Sequence, residues 1–249
     1  MASPEFLAGV PADRVLDRLA KAGGNEVENG KFASPESSSA LAVNTFGWFI
    51  ERPGLLPVLP GMKTGASPLL VDVEYCARFP WRGGRHPWLD AVVETECELV
   101  GVESKRFEPF RGHKPPSLSK AYDREVWGAN MKPFEAMRNA LRAGRETFEF
   151  LDAAQLVKHA FGLVTDGARK LKAPMLVYLY AEPAALAGRP ISATALRQHR
   201  DEIARFGAAV TGAEVGFHAA SYREWLDTWP NPPDPVGIHR KAVMERFQP

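Results

Sequence analysis

The stretch WLDAVVETECELVGVESKRFEPF, residues 88 to 110, holds two apolar runs of strand length joined by the polar link TECE. Runs this close pair most simply as antiparallel neighbours, and few registers leave one face apolar. A turn centred between Glu96 and Cys97 puts Asp90 opposite Glu103. Side chains alternate along a strand, so Lys105 shares the face of Glu103. The other face carries Leu89, Ala91 and Val93 across from Ser104, Val102 and Val100, an almost wholly apolar surface. A slip of one residue destroys both the apolar face and the charge cluster.

Two facing carboxylates about 5 Å apart repel unless positive charge lies between them. One reading is a salt-bridged Asp–Lys–Glu cluster on a solvated sheet face. The other is a divalent-metal site. Hard oxygen ligands suit Mg²⁺, with Mn²⁺ as a substitute, because Mg²⁺ takes one or two carboxylates plus waters and substrate phosphate. A lysine beside such a metal deprotonates or orients the attacking water and stabilises phosphate charge.

The remaining pattern is that of an α/β protein. Residues 12 to 22 have the apolar spacing of a short surface helix, and the polar connector GGNEVENGKFA follows. In SPESSSALAVNTFGWFIE, Ser34 is a candidate N-cap, Pro35 fits the first helical position, and Glu36 falls in the first turn. LLVDVEYCARF reads as a strand ended by Gly83-Gly84. After the hairpin come helices over PFEAMRNALRAG and FEFLDAAQLVKHAFGLVTDG. APMLVYLY then reads as a strand buried on both faces, followed by a helix over 196–210, the strand AEVGFHAAS, and a helical tail starting at YREWLDTW. The expected architecture is a mixed sheet with helices on both faces, preceded by an N-terminal helix and connector over residues 1–33, with the main domain over 34–249.

Composition narrows the function classes. Thirty-one Lys plus Arg against 30 Asp plus Glu leave a net charge of +1, so a nucleic-acid binder must concentrate its positive charge locally. Cys76 and Cys97 lack metal-ligand spacing and read as buried free thiols. The N-terminus lacks the pattern of a secretory signal, and no apolar run reaches the roughly 20 residues of a membrane span, which points to a soluble, cytoplasmic protein with no membrane partner. There is no internal repeat, and no nucleophile elbow, P-loop or dinucleotide fingerprint.

Asp90 followed by Glu103-Ser104-Lys105 resembles the motif of the PD-(D/E)XK nuclease superfamily, which has the restriction-endonuclease-like fold. Leu89 stands where the nominal motif has Pro. The run SSSALAVNTFGWF, then LDAVVE, VESKRFEPF and QLVKHAFGL, looks most like bacterial restriction-endonuclease-like proteins over about residues 34 to 225. The resemblance implies a three-layer α/β/α fold with a central mixed β-sheet, and a Mg²⁺-dependent nuclease acting on DNA phosphodiester bonds. It implies Asp90 and Glu103 as metal ligands, the Ser104 carbonyl as a third, and Lys105 beside the attacking water. Glu36 would serve a second metal or position water, or else is simply a favourable first-turn acid. Gln155 would orient a phosphate or water, or else is a polar face position, and Lys158 and His159 share its side of the helix. Glu74 alternates with Asp72 on the neighbouring strand, facing either the pocket or solvent.

Basic residues flank the motif on both sides: Arg78, Arg82, Arg85 and His86 before Asp90, and Arg106, Arg111 and Lys114 after Glu103. Arg82, Arg85, Arg106, Arg111 and Lys114 are the candidate nucleic-acid contacts. Arg138, Arg142 and Arg145 form a helical stripe, either a phosphate track or a solvated face. Trp81, Trp88 and Phe110 either stack on bases or pack in the core. A homodimer is compatible with double-strand cutting. The competing class is a non-catalytic nucleic-acid-binding or assembly protein on the same fold.

Overall fold

The computed structural model describes residues 5–22, 30, 32–34, 36–112 and 117–249. Its five-stranded sheet has the order β1 (Leu70–Cys76), β2 (Trp88–Glu94), β3 (Glu98–Lys105), β4 (Ala173–Tyr180), β7 (Gly216–Ser221), where the numbers follow chain order. A small hairpin of β5 (Ala185–Leu186) and β6 (Arg189–Pro190) stands apart from it. The pairs β1–β2 and β2–β3 are antiparallel, and β3–β4 and β4–β7 are parallel. The sheet is therefore mixed, and β4, apolar along nearly its whole length, is buried on both faces at its parallel centre.

Parallel neighbours need crossovers. The first runs through α3 (Lys132–Arg142) and α4 (Ala153–Lys170), the second through α5 (Ala193–Ala209). Both move in the same direction across the sheet, so a common handedness puts all three helices on one face. Their core joins Leu156, Val157, Phe161 and Phe206 to Leu89, Val92, Leu99 and Leu176 of the sheet. The other face is covered by α1 (Ala12–Lys21), α2 (Ser38–Gly47), α6 (Tyr222–Asp227) and α7 (Pro235–Phe247). Its core joins Leu41, Phe46, Trp225 and Val243 to Val71, Val73, Ala91, Val93, Val100 and Val102. The result is the expected three-layer α/β/α arrangement.

Several local readings change. The helix expected to start at Ser34 starts at Ser38, because the Ser37 hydroxyl caps it by accepting from Ala40 N at 3.0 Å. Glu36 thus sits in the turn before the helix, and Pro35 lies outside the described residues. The helix expected from Phe148 starts at Ala153, where Asp152 accepts from Gln155 N at 2.9 Å. The residues ahead of it stay irregular, since Glu202 of α5 draws their amides away from any helical ladder: Glu149 N and Phe150 N each donate to it at 2.8 Å, and Leu151 N at 3.0 Å. The N-terminal helix buries Val15 and Leu19 in the main core, and its Arg18 grips Asp72 at 2.6 Å. Cys97, expected to be buried, is exposed in the hairpin turn, and Cys76 is half-buried.

The hairpin has the register read from its pattern, with Ala91 opposite Val102 and Val93 opposite Val100. One face assignment is corrected. Leu89 does not join Ala91 and Val93 but lies in the opposite core, with Val92. The neighbouring strand changes face at the same level: Val73 packs with Ala91, whereas Tyr75 packs on the Leu89 side. Between them Glu74 adopts φ 51°, a conformation that side chains other than glycine rarely hold inside a strand. The alternation therefore breaks across two adjacent strands at Glu74 and Asp90.

Gly162 fixes α4 against the two ends of the β1–β2 loop. A Cβ there would lie 2.6 Å from Ala77 Cβ and 2.9 Å from both the Ala77 carbonyl and Pro87 Cγ. Because backbone stands in the way, Gly162→Ala is expected to cost about 1–3 kcal/mol. Urea unfolding of the variant checks this through a lower midpoint at unchanged m value.

Candidate active site

The carboxyl end of β3 and the amino end of β2 meet at one end of the sheet, and the break in alternation there sets the direction of Asp90. Its Oδ2 accepts from Ser104 N at 2.7 Å. Glu103 and Lys105 project toward α4, where Lys105 Nζ contacts Glu103 Oε1 and His159 Nε2 lies 2.8 Å from Glu103 Oε2. Ser104, one residue between them, turns to the other face and shares a 2.6 Å hydrogen bond with the Tyr222 hydroxyl. Glu108, just beyond β3, accepts from Arg106 N and Phe107 N at 3.1 Å and from the Ser38 hydroxyl.

These contacts split the two carboxyls electrostatically. Burial, and then the like charge of Glu103 and Glu74, push the Asp90 carboxyl well above the usual carboxylate range despite Lys105 and the Ser104 amide. Burial would also raise Glu103, but Lys105 and His159 outweigh it and hold that carboxyl at about 2. Burial works to lower the Lys105 ammonium, and Glu103, Asp90 and Glu108 outweigh it in turn, so its pKa rises. Lys105 is therefore an ammonium at neutral pH. Glu108 is held low in spite of burial by Lys105, the Ser38 hydroxyl and backbone amides.

Lys105 also forms part of the wall of a cavity of about 340 Å³, with Glu108, Arg111, Gln155, Tyr178 and the 146–154 segment around it. A family model described as "Restriction Endonuclease associating with ARP" matches residues 3–233, a span that contains this cluster and all the strands. The chain belongs to that family. No curated protein and no solved structure matches it. Membership in the REase-ARP family makes the three-layer arrangement a restriction-endonuclease-like fold and the chain a nuclease-like protein.

Within this REase-ARP member the expected site residues are not equally close. Asp90, Glu103, Ser104 and Lys105 meet at one point. Gln155 reaches the same cavity from the first turn of α4. Glu36 sits on the rim, bound to Arg111 at 2.7 Å and accepting from Ala187 N at 3.2 Å. Arg111 joins that rim to the cavity. Arg82 and Arg85 are exposed on the β1–β2 loop, at the same end of the sheet as Asp90. Arg106 is buried, with its guanidinium over Phe107 and against the Phe247 carbonyl, which removes it from the surface. Lys114 lies outside the described residues. The arginine stripe divides: Arg138 is buried, whereas Arg142 and Arg145, the latter beyond the end of α3, are exposed. Arg138 donates to the Tyr122 carbonyl and Arg142 to the Leu118 and Ser119 carbonyls, so both clamp the preceding loop.

Three participants escape a reading limited to the motif. Glu108 had a signal, an acid three residues beyond Lys105 in the same quoted stretch. His159 had a weaker one, its helical spacing from Gln155. Tyr222 had none, being 118 residues from Ser104.

Among the described residues no group of three or more His, Cys, Asp or Glu side chains is placed to hold a metal ion. Mg²⁺ does not require one, since one or two carboxylates with waters and phosphate suffice. Asp90 fits that role: it is a hard oxygen donor whose charged form is disfavoured by burial and by its neighbouring carboxylates, and a cation would relieve both.

The split has opposite consequences for stability. Asp90 has a raised value in the folded state, so its stabilising effect is present below about pH 3.9 and is lost as pH rises through the folded value. Asp90→Asn, which keeps an acceptor for Ser104 N, is expected to melt above wild type at neutral pH, with the gap closing in acid. Glu103 has a lowered value, so its contribution is present above its ordinary 4.5 and fades as pH falls toward about 2. Glu103→Gln should cost about 3 kcal/mol at neutral pH by stranding Lys105 and His159. Thermal melts of both variants from acid to neutral pH check the two signs.

Proposed function

We propose that this protein is a Mg²⁺-dependent nuclease that hydrolyses DNA phosphodiester bonds at the cluster of Asp90, Glu103 and Lys105. The observation that carries the reading is one hairpin register that gathers two carboxylates of opposite proton affinity beside an ammonium, Lys105, that lines a cavity. When bound by Asp90 and Glu103, with the Ser104 carbonyl as a third donor, Mg²⁺ would activate water and offset charge at the leaving oxygen.

The chain's own residues divide the remaining work. Lys105, held as an ammonium by Glu103, Asp90 and Glu108, stabilises negative charge on the phosphate; in that state it orients water rather than deprotonating it. Glu103 is fixed by Lys105 and His159, yet each carboxylate oxygen keeps a further lone pair for a ligand. Gln155 offers an amide to phosphate or water from the first turn of α4. Arg82 and Arg85 supply local positive charge where the backbone of a DNA strand would approach, which a chain of net charge +1 needs.

A second reading, a DNA-binding or assembly protein without hydrolysis, is favoured by one observation: both Glu103 oxygens already face a basic side chain. Mg²⁺-dependent cleavage of single-stranded and duplex DNA separates the two. Wild type is expected to cleave, while Asp90→Asn and Lys105→Ala lose at least about 100-fold in rate, a loss of roughly 3 kcal/mol. Cleavage that survives in both variants would sink the site assignment, and salt-dependent binding without cleavage would favour the second reading. Proton and cation compete for Asp90, so Mg²⁺ binding should release protons and tighten as pH rises. Calorimetry in buffers of different ionisation enthalpy measures that release.

A further inference from the structure

The cavity beside Lys105 has a mixed lining that the hydrolytic scheme does not use in full. It includes the cations Lys105 and Arg111. It also includes Leu141, Phe148, Phe150, Leu151 and Tyr178, which form a mainly apolar wall. Four carboxylates also border it, and each has a partner of its own. Glu108 is bound to Ser38 and two backbone amides, and Asp152 caps α4. Glu149 accepts from Gln198 at 3.0 Å, and Glu146 lies 3.5 Å from Arg205.

The apolar wall is built on rigid supports. The buried Glu202 carboxylate holds three consecutive amides of the 149–151 segment. Tyr178 is fully buried and shares a 3.1 Å hydrogen bond with His199 Nε2. Phe150 packs on Phe110 with ring centroids 5.8 Å apart, and Phe110 in turn meets His199. A wall supported in this way is preformed, which lowers the cost of binding.

From this arrangement we infer that the cavity receives one unpaired base of the strand whose phosphate lies at Lys105, making the preferred substrate a DNA strand with an unstacked nucleotide. At about 340 Å³ the space falls near the lower end of pockets for small organic ligands, roughly 300–1,000 Å³, and is far too small for a base pair within a duplex. A base offers a π-face for Phe150, the partly exposed ring of the wall, and polar edges for Gln155, while its phosphate meets the two cations. This inference rests on the proposed nuclease site for where the phosphate lies.

The test uses the full chain in EDTA, so that binding is read without cleavage. Three probes of one sequence are compared by fluorescence anisotropy: a single strand, a perfect duplex, and the duplex with one unpaired nucleotide. The single strand and the interrupted duplex should bind about ten-fold tighter than the perfect duplex, as expected for one stacked base. Thr147 is exposed at the cavity, so Thr147→Trp can block it without disturbing the core. That variant should lose the preference, keep its melting temperature, and bind the perfect duplex as wild type does. Phe150→Ala should weaken the preference in the same direction. Equal affinity for the three probes, or a preference that survives Thr147→Trp, would overturn the inference. Cleavage of perfect duplex without any such preference would overturn it while leaving the nuclease reading intact. Preference without cleavage in Mg²⁺ would do the reverse.

Discussion

The pairing of β2 with β3 is the constraint on which the two cores and the charged cluster all depend. Val100 and Val102 belong to one core while Leu99 belongs to the other, so every residue of β3 is committed to a face. Sliding the pair by one residue would exchange those commitments, sending valines out of one core and carboxylates into the other. The apolar content of both layers thus fixes where Glu103 and Lys105 emerge. Gly101 contributes by leaving room for Leu89 and Leu163, which would otherwise meet a Cβ at 2.6–2.9 Å.

That commitment has an electrostatic cost, because three charged groups are held where water is scarce. The protein offsets it unevenly. Glu103 is compensated by two basic side chains, and Lys105 by three carboxylates, whereas for Asp90 the pull of Lys105 and one amide is outweighed by burial and two like charges. Such an arrangement leaves one member of the cluster underserved by its own fold, and perturbed groups of this kind cluster at functional sites. The strained backbone of Glu74 lies at the same level and is part of the same departure from regular structure.

Much of this was legible in the sequence. The hairpin register followed from the turn at Glu96-Cys97 and the joint pattern of apolar face and charge cluster, and the buried central strand from its unbroken apolar run. Helix starts were read less well, since Ser34 and Ser37 are both acceptable caps in isolation and only tertiary packing selects the second. The irregular 148–152 segment was hidden for a similar reason: its helical pattern is genuine, but a buried carboxylate 51–53 residues later competes for the amides. Leu89 was placed on the wrong face because period-two reasoning assumes an unbroken pleat. Arg106 looked like a surface contact because charge is visible in a sequence, whereas the carbonyl and aromatic rings that bury it are not.

The close seat of α4 at Gly162 has an evolutionary consequence. Ala77 and Pro87, the two feet of the β1–β2 loop, are both held against that helix, so the span between them is anchored independently of its own length. Insertions or exchanges around Gly83-Gly84 can then accumulate without transmitting a shift to Asp90. A fold built this way can vary the exposed arginine-bearing tip while the paired strands β2 and β3 stay unchanged.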